Sequence, residues 1–197
     1  MKVLLTIIIV LVLLAILIYC NTLFRGRHLI WNQVLGDLKI PTKSRVAILG
    51  LNYAGLFINV AKLLKAPGKV TGVNTGNENI AKQEQKRIKE NRVADRAELV
   101  EGSLQNLPLE SRHYDYVFSA FTFHTVSPAI NRGRAIQEAV RVMKPEGTLI
   151  IVDFGDLQQY RPLLNQMGFQ NVRVVPTGVT GWWGGPWLKT RILVARR

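Results

Sequence analysis

Short apolar segments alternate with helical segments along most of this chain. Five of the apolar segments have the length and residue types of strands: "RVAILG", "KVTGVN", "AELVEGS", "YDYVFSAFTF" and "GTLIIVDFG". Helical segments of about 10–15 residues separate most of them, and one of these helices opens with Asn77 as its predicted N-cap. Because parallel strands need such crossovers, the pattern predicts an α/β fold with five parallel strands and helices on both faces of the sheet.

Two more strand segments, "NVRVVPTG" and "TRILVARR", close the chain. The loop between them shows no helical pattern, so we expect them to pair antiparallel or to form a hairpin with a long insertion. The predicted fold is therefore a Rossmann-like, seven-stranded, mostly parallel sheet with an antiparallel last strand.

The chain begins with a long apolar run, "VLLTIIIVLVLLAILIY", from Val3 to Tyr19. An α-helix rises about 1.5 Å per residue, so the run, extended by Leu23 and Phe24, is long enough for a hydrocarbon core of about 30 Å. A cleaved signal peptide is the main alternative, but "IYCNTLF" lacks the small residues of a cleavage site. We therefore predict a transmembrane helix that precedes the folded domain.

Three parts follow from this division of the chain. Residues 1–24 are the predicted anchor, residues 25–42 a linker with a short helix in "HLIWNQVLGDL", and residues 43–197 the folded domain. The last part, with most of the roughly 170 residues outside the anchor, has the size of a single domain.

Basic residues predict how the chain meets a membrane. Arg25, Arg27 and His28 follow the apolar run, whereas Lys2 alone precedes it, so the positive-inside rule places the folded domain on the cytoplasmic side.

The net charge of +13, from 26 Lys and Arg against 13 Asp and Glu, is spread along the chain. It is compatible with a merely solvated positive surface, or with anionic lipid as a partner; no nucleic acid is expected. The oligomeric state stays open.

The turn after the first strand, "GLNYAG", carries glycines at positions 50 and 55. In an open α/β sheet, ligands bind at the carboxyl ends of the strands, where the strand order reverses. This rule brings residues 50–55, Asn74, Ser103 and residues 119–124 around one crevice. Gly50 and Gly55 also fit a purely structural role in a tight turn and in close helix–strand packing.

Several longer phrases resemble a known family. "KVTGVNTGNENIAKQEQKR", "ADRAELVEGSLQNLPLESRHYDYVFSAFTFHTV" and "RVMKPEGTLIIVDFG", in this order, are similar to class I S-adenosylmethionine-dependent methyltransferases, above all to the ubiquinone/menaquinone biosynthesis ("type 11") branch. The resemblance implies S-adenosylmethionine as the cofactor. The residues that it assigns to cofactor binding are Gly50, Asn52, Tyr53, Gly55, Asn74, Ser103, Leu104 and Ser119.

The chain departs from this family at its acidic positions. Members usually carry carboxylates where Ile48, Asn74 and Ser103 stand here, and further glycines at Asn52 and Ala54. A carboxylate accepts hydrogen bonds that are roughly twice as strong as neutral ones. Three such losses of about 1 kcal/mol each weaken binding about a hundredfold.

These departures leave three interpretations. The first is a working methyltransferase with an unusual pocket, and the second is a non-catalytic, methyltransferase-like binding module at the membrane. A nicotinamide-dependent oxidoreductase is disfavoured, because "GLNYAG" lacks the Gly-x-Gly-x-x-Gly spacing.

Two residues are candidates for catalysis. Methyl transfer depends mainly on alignment, and a base is needed only where the acceptor must lose a proton. His124, in "FTFHTV", is the candidate base, and Asp153 ends the fifth strand on the acceptor side. A packed or capping histidine, and an aspartate that caps a helix or pairs with an arginine, are the structural alternatives.

The expected acceptor is a small, lipophilic molecule that arrives from the bilayer. The segment "VTGWWGGPWLKTR" would close over it or lie in the membrane interface, where Trp is favoured, unless it is ordinary core and turn packing. The sequence has no Cys/His cluster with metal-ligand spacing, so no metal site is expected.

Overall fold

The computed structural model describes residues 2–181 and 189–197. Within these residues, seven strands form one sheet in the order β3-β2-β1-β4-β5-β7-β6. The strands are β1 Arg45–Leu49, β2 Lys69–Asn74, β3 Ala97–Glu101, β4 Tyr114–Ala120, β5 Met143–Phe154, β6 Asn171–Pro176 and β7 Thr190–Arg196. Strands β1 to β5 are mutually parallel, and β7 is antiparallel to both β5 and β6. The predicted sheet is confirmed, and its strand order reverses between β1 and β4.

Helices cover both faces of the sheet. They are α1 Lys2–Leu38, α2 Ala54–Leu63, α3 Glu78–Glu90, α4 Asn131–Val142 and α5 Arg161–Gln166. One core contains Trp31 and Phe57, under α1 and α2, and the other contains Ile136 and Phe169, on the α4 side. The predicted cap of α3 is present, because the Asn77 side chain accepts a hydrogen bond from the backbone N–H of Ile80 at 3.2 Å.

The first helix is longer than expected. Where the sequence predicted an anchor, a linker and a separate short helix, the structure has one uninterrupted helix, α1. The physical reason is that the segment between the two apolar parts contains no proline, and a single glycine such as Gly26 costs a helix only about 1 kcal/mol. Its segment Val3–Cys20, with mean hydropathy 3.3 and no residue buried, has the length and composition of a membrane span, a test that a signal sequence also passes.

The second half of α1 lies along the sheet and runs antiparallel to β1. At the carboxyl edge, the Nδ1 of His28 lies 2.6 Å from the Tyr53 hydroxyl, and further along the strands the Trp31 ring meets Phe118 at 5.8 Å between centroids. Past the end of α1, at the amino edge, Thr42 accepts a backbone hydrogen bond from Lys65 at 2.7 Å. The exposed part of α1 therefore leaves the domain at the carboxyl edge of the sheet.

Most of the predicted tryptophan-rich segment lies outside the described residues, which omit 182–188. Its predicted role as a cover or interfacial loop stays a prediction. The short 3-10 helix before it, Gly178–Gly181, packs against α1.

Candidate cofactor cleft and histidine–aspartate pair

A cleft of about 670 Å³ opens at the carboxyl ends of β2 and β3, beside the loop that follows β4. Its wall consists of Thr75, Gly76, Glu101, Gly102, Ser103, Leu104, Gln105, Thr125, Val126 and Ser127. Ser103 and Leu104 are the two predicted cofactor residues in this wall. The cleft lies beside the point where the strand order reverses, which is where this class of fold binds its ligands.

The turn after β3 presents Ser103 to the cleft. Its hydroxyl accepts a hydrogen bond from the backbone N–H of Gln105 at 3.2 Å, while Leu104 turns into the core and is only 6% exposed. The Ser103 hydroxyl can hydrogen-bond with the edge of a planar ring, and the Leu104 side chain can pack against its face.

Asn74 lies beneath the cleft and is only 3% exposed. Its side-chain N–H donates to Glu101 Oε1 at 3.4 Å, and its backbone carbonyl accepts from Gly102 at 3.0 Å. Glu101 is exposed in the cleft wall, so a carboxylate is present one strand away from the position where the family places it.

Sequence reasoning missed Glu101. The signal that would have found it is register: Asn74 and Glu101 are Cα partners at the last position of two neighbouring parallel strands. An acid at the last position of β3 therefore lies beside Asn74, the position of β2 where the family usually carries an acid.

Gly50 has a structural role in the turn after β1. Its φ is +77°, a left-handed conformation that favours glycine, and a Cβ at this position would overlap the Thr122 side chain. The backbone N–H of Gly50 donates to the Val73 carbonyl at 3.1 Å. The tight approach of Thr122 means that the loop after β4 packs directly onto this turn.

Asn52 bridges the two loops at the same edge. Its side-chain N–H donates to the Phe121 carbonyl at 2.8 Å and approaches the Thr122 hydroxyl at 3.4 Å. The side chain is exposed and spans the space above Gly50, where a glycine would leave the crevice open.

Tyr53 faces α1 instead of the cleft. It is 7% exposed, and its hydroxyl bonds with His28, as described above. A Cβ at Gly55 would lie 3.1 Å from that hydroxyl, so Gly55 makes room for Tyr53.

Ser119 is fully buried in β4, level with Leu49 of β1 and Ile151 of β5. Its hydroxyl has no hydrogen-bond partner among the described residues.

The two predicted catalytic residues form a hydrogen-bonded pair. The Nδ1 of His124 lies 2.5 Å from Asp153 Oδ1, and the backbone N–H of His124 donates to Asp153 Oδ2 at 2.9 Å. Asp153 is fully buried, and its Oδ1 also accepts from the backbone of Phe154 at 2.8 Å. The imidazole is 37% exposed and packs edge-on against the Phe154 ring, with centroids 5.0 Å apart.

This pairing fixes the chemistry of the imidazole. A carboxylate accepts hydrogen bonds only, so the proton of neutral His124 resides on Nδ1 and the Nε2 lone pair is free to accept. Among the described residues, none hydrogen-bonds to Nε2. The arrangement can take a proton from a molecule placed at the exposed side of the ring.

One short turn joins the cleft to this pair. The 3-10 turn Phe123–Thr125 carries His124, and Thr125 next to it lines the cleft. Arg132 fixes the turn by donating to the carbonyls of His124 at 3.0 Å and Val126 at 3.2 Å. The base and the cleft are therefore held at a set separation. Among the described residues, no group of three or more His, Cys, Asp or Glu is placed to hold a metal ion.

Residues 53–151 of the sequence match a family described as "Methyltransferase domain". The chain belongs to the methyltransferase domain family. The family inferred from the sequence phrases is thereby confirmed.

The methyltransferase domain has curated relatives in quinone biosynthesis. It is 31% identical over 147 residues to a ubiquinone/menaquinone biosynthesis C-methyltransferase, UbiE, of Bartonella quintana (strain Toulouse), covering 72% of this chain and 54% of that protein. It is 27% identical over 134 residues to a demethylmenaquinone methyltransferase of Lactiplantibacillus plantarum, covering 68% of this chain and 55% of that protein. The chain thus spans about half the length of the curated relatives it matches.

A solved structure shares the fold of the methyltransferase domain. A SAM-dependent methyltransferase from Aquifex aeolicus superposes with a TM-score of 0.67 at 20% identity, covering 89% of this chain and 90% of that one. At this level of identity, the likeness concerns the fold alone.

Proposed function

We propose that the chain is a membrane-anchored, S-adenosylmethionine-dependent methyltransferase that acts on a small lipophilic acceptor. The observation that carries this proposal is the single turn that holds the His124–Asp153 pair on one side and the wall of a ligand-sized cleft on the other. Pockets for cofactors usually have volumes of about 300–1,000 Å³, which includes this cleft.

The cofactor site is built around the cleft wall. Glu101 would supply the carboxylate that accepts hydrogen bonds from the ribose hydroxyls, in place of the neutral Asn74 behind it. Ser103 and Leu104 would flank the adenine. The hydrogen bond from Asn52 to the Phe121 carbonyl would have to open for the rest of the cofactor to enter, at a cost of about 1 kcal/mol for a bond that water can replace.

The acceptor side is built around His124. Bound S-adenosylmethionine supplies a methyl group on a sulfonium sulfur. The Nε2 of His124 takes the proton that the acceptor loses, and Asp153 orients the ring and stabilises its protonated form. The mechanism needs no further residue to change its charge.

The acceptor is proposed to be lipophilic. The apolar segment Val3–Cys20 supports an anchor, and relatives named for ubiquinone, menaquinone and demethylmenaquinone support a ring with a hydrocarbon tail. The His124 ring packs edge-on against the Phe154 ring, which is an apolar neighbour for an acceptor ring placed beside His124. The basic residues after the span support a domain on the cytoplasmic side.

Calorimetry of the full chain in detergent with S-adenosylhomocysteine tests the cofactor site. We expect saturable binding that Glu101→Gln weakens about tenfold, because a neutral amide replaces a charge-assisted acceptor. Glu90→Gln is the matched control, because it removes the same charge from an exposed ion pair with Lys86. This pair lies at the C-terminal end of α3, away from the cleft, so the substitution should leave the affinity unchanged. Absence of binding at millimolar ligand would overturn the proposal.

A non-catalytic binding module at the membrane is the second candidate. The Asn52 bridge and the packing of Thr122 on Gly50 favour it, because they occupy the space above β1. Production of S-adenosylhomocysteine with any acceptor would exclude this candidate.

A further inference from the structure

The exposed half of α1 continues the axis of a segment that packs on the sheet. Ile30, Trp31, Val34 and Leu35 are buried against the domain, whereas the whole of Val3–Cys20 is exposed. Because α1 is one helix that runs antiparallel to β1, its exposed half projects past the carboxyl edge, the same edge that carries the cleft and His124.

The remaining length of α1 sets the distance between this edge and the apolar span. From His28, which contacts Tyr53 at the edge, to Cys20 at the end of the span is about 12 Å of helix. The headgroup layer on each side of a bilayer is about 5–8 Å thick. The carboxyl edge therefore lies about 4–7 Å beyond the headgroup layer, a distance that side chains on its loops can span.

The loop between the 3-10 turn and α4 carries an independent signal at this edge. Ile130 is 82% exposed, against 43% for Leu63 and 48% for Val175, the other exposed large apolar residues of the described chain outside α1. It immediately precedes α4, and Ser127 of the same loop lines the cleft. A largely exposed isoleucine beside a binding cleft is unfavourable in water, and burial in an apolar layer stabilises it by about 1.5–3 kcal/mol.

Exposed basic side chains occur at the same edge. Arg134 lies in the first turn of α4, Arg161 begins α5, and Lys189 precedes β7, whose first residue is level with the end of β5. Their charge matches anionic headgroups. The acids there include Glu101, in the cleft wall, and Asp156, which is paired with Arg191.

We propose that the carboxyl edge of the sheet docks on the bilayer surface, with Ile130 inserted among the headgroups, so that the cleft and His124 open toward the membrane. The proposal rests on the proposed anchor, but not on cofactor binding or turnover. It commits to a lipid surface as the partner of this edge.

Fluorescence depth measurement tests the docking. The full chain with Cys20→Ser carries a single Ile130→Cys, labelled with an environment-sensitive fluorophore, in vesicles of three parts zwitterionic to one part anionic phospholipid. Leu63→Cys is the matched control, since Leu63 ends α2 at the amino edge. We expect a blue-shifted emission at position 130, quenched by lipids with spin labels near the headgroup, and an aqueous spectrum at position 63.

Flotation of the same vesicles separates the two proposals. If the chain floats and both labels report water, the docking is overturned while the anchor stands. If the chain does not float, the anchor and the docking both fall. Calorimetry with S-adenosylhomocysteine is independent of either result.

Discussion

The pair formed by His124 and Asp153 joins the turn that follows β4 to the end of the adjacent strand β5. The buried carboxylate accepts from both the ring and the backbone of His124, so the ring cannot turn over without losing a hydrogen bond to a charged group. Such bonds contribute about 1.5–3 kcal/mol. The orientation of the Nε2 lone pair is thus set before any acceptor binds.

Substitution of either member should slow proton removal. With an acceptor that loses a proton on methylation, we expect His124→Gln to lower kcat by roughly 10²–10⁴-fold and to leave S-adenosylhomocysteine affinity unchanged. Asp153→Asn should lower kcat as well, because an amide can donate to Nδ1 and select the wrong tautomer. The measurement is the rate of S-adenosylhomocysteine release.

His113→Gln is the control, since His113 lies at the amino edge with Arg45 and Glu110. Equal losses for His113→Gln and His124→Gln would contradict a role of His124 as the base.

Sequence reasoning reached the residues of this pair but not the pairing. His124 is a candidate because it follows the fourth strand, and Asp153 because it ends the fifth, whereas their contact depends on how the turn after β4 folds back over the end of β5. Glu101 was missed for the same reason, because only strand register places it beside Asn74. The sequence assigns Tyr53 to cofactor binding. Its contact with His28 could not be predicted, because the sequence does not show that α1 lies on the sheet.

At the scale of elements, α4 holds the segment that follows the cleft. Arg141 donates to the carbonyls of Leu107 and Leu109, both at 3.0 Å, and to the Ser111 hydroxyl at 2.8 Å. Glu138 accepts from Arg141 and from the Leu107 backbone at 2.8 Å. The pair Glu138–Arg141 therefore fixes residues 107–111 to the helix.

The stability that this pair provides should depend on pH. The hydrogen bond from Arg141, ahead of that from Leu107, lowers the pKa of Glu138. A carboxyl whose pKa is depressed on folding contributes stability above its unfolded pKa of about 4.3, and this contribution is lost as pH falls through the lower folded value. We expect Glu138→Gln to lower the free energy of unfolding by about 1–3 kcal/mol at pH 7, and by less at pH 3.

Urea unfolding at the two pH values measures this difference. Glu90→Gln, which breaks an exposed pair with Lys86, is expected to change stability by at most about 0.5 kcal/mol. A Glu138→Gln effect that is equal at pH 3 and pH 7 would contradict the assignment.

The elements that sequence patterns predicted best are those with strong apolar periodicity. The strands and α2 to α4 were all expected, since buried strands and capped helices leave local signals. The segment "LQQYRPLLNQM" begins as a 3-10 turn, Leu157–Tyr160, and becomes α5 only at Arg161. Pro162 explains this, because proline is favoured in the first turn of an α-helix and disfavoured inside one.

At the scale of the whole molecule, the two halves of α1 differ in burial, because Val3–Cys20 is exposed and the second half packs on the sheet. Its second half completes one of the two cores through Trp31, which is fully buried against Phe118. The sequence showed the apolar run and the short amphipathic helix separately. It could not show that they are one helix, because continuity depends on a weakly patterned stretch between them.

Removal of the two halves of α1 should have unequal effects. A chain beginning at residue 21 should keep its fold, whereas one beginning at residue 39 should not, because the core then loses Trp31 and its buried neighbours. Within the first of these, Trp31→Ala should lower the free energy of unfolding by about 3–5 kcal/mol.

Leu29→Ala, at a half-exposed position of the same turn, is the control and should cost much less. Urea unfolding followed by circular dichroism measures all of these changes. A stable fold without residues 2–38 would show that α1 is an appendage.

With the proposed anchor, the unbroken helix also determines how such an enzyme would find its substrate. With no hinge within α1 between span and domain, the crevice would not sweep through the surrounding water and would travel only as the helix diffuses sideways in the bilayer. Encounter with a hydrophobic acceptor then becomes a two-dimensional search. The encounter rate then depends on the surface density of the acceptor in the bilayer. It does not change when the aqueous volume increases.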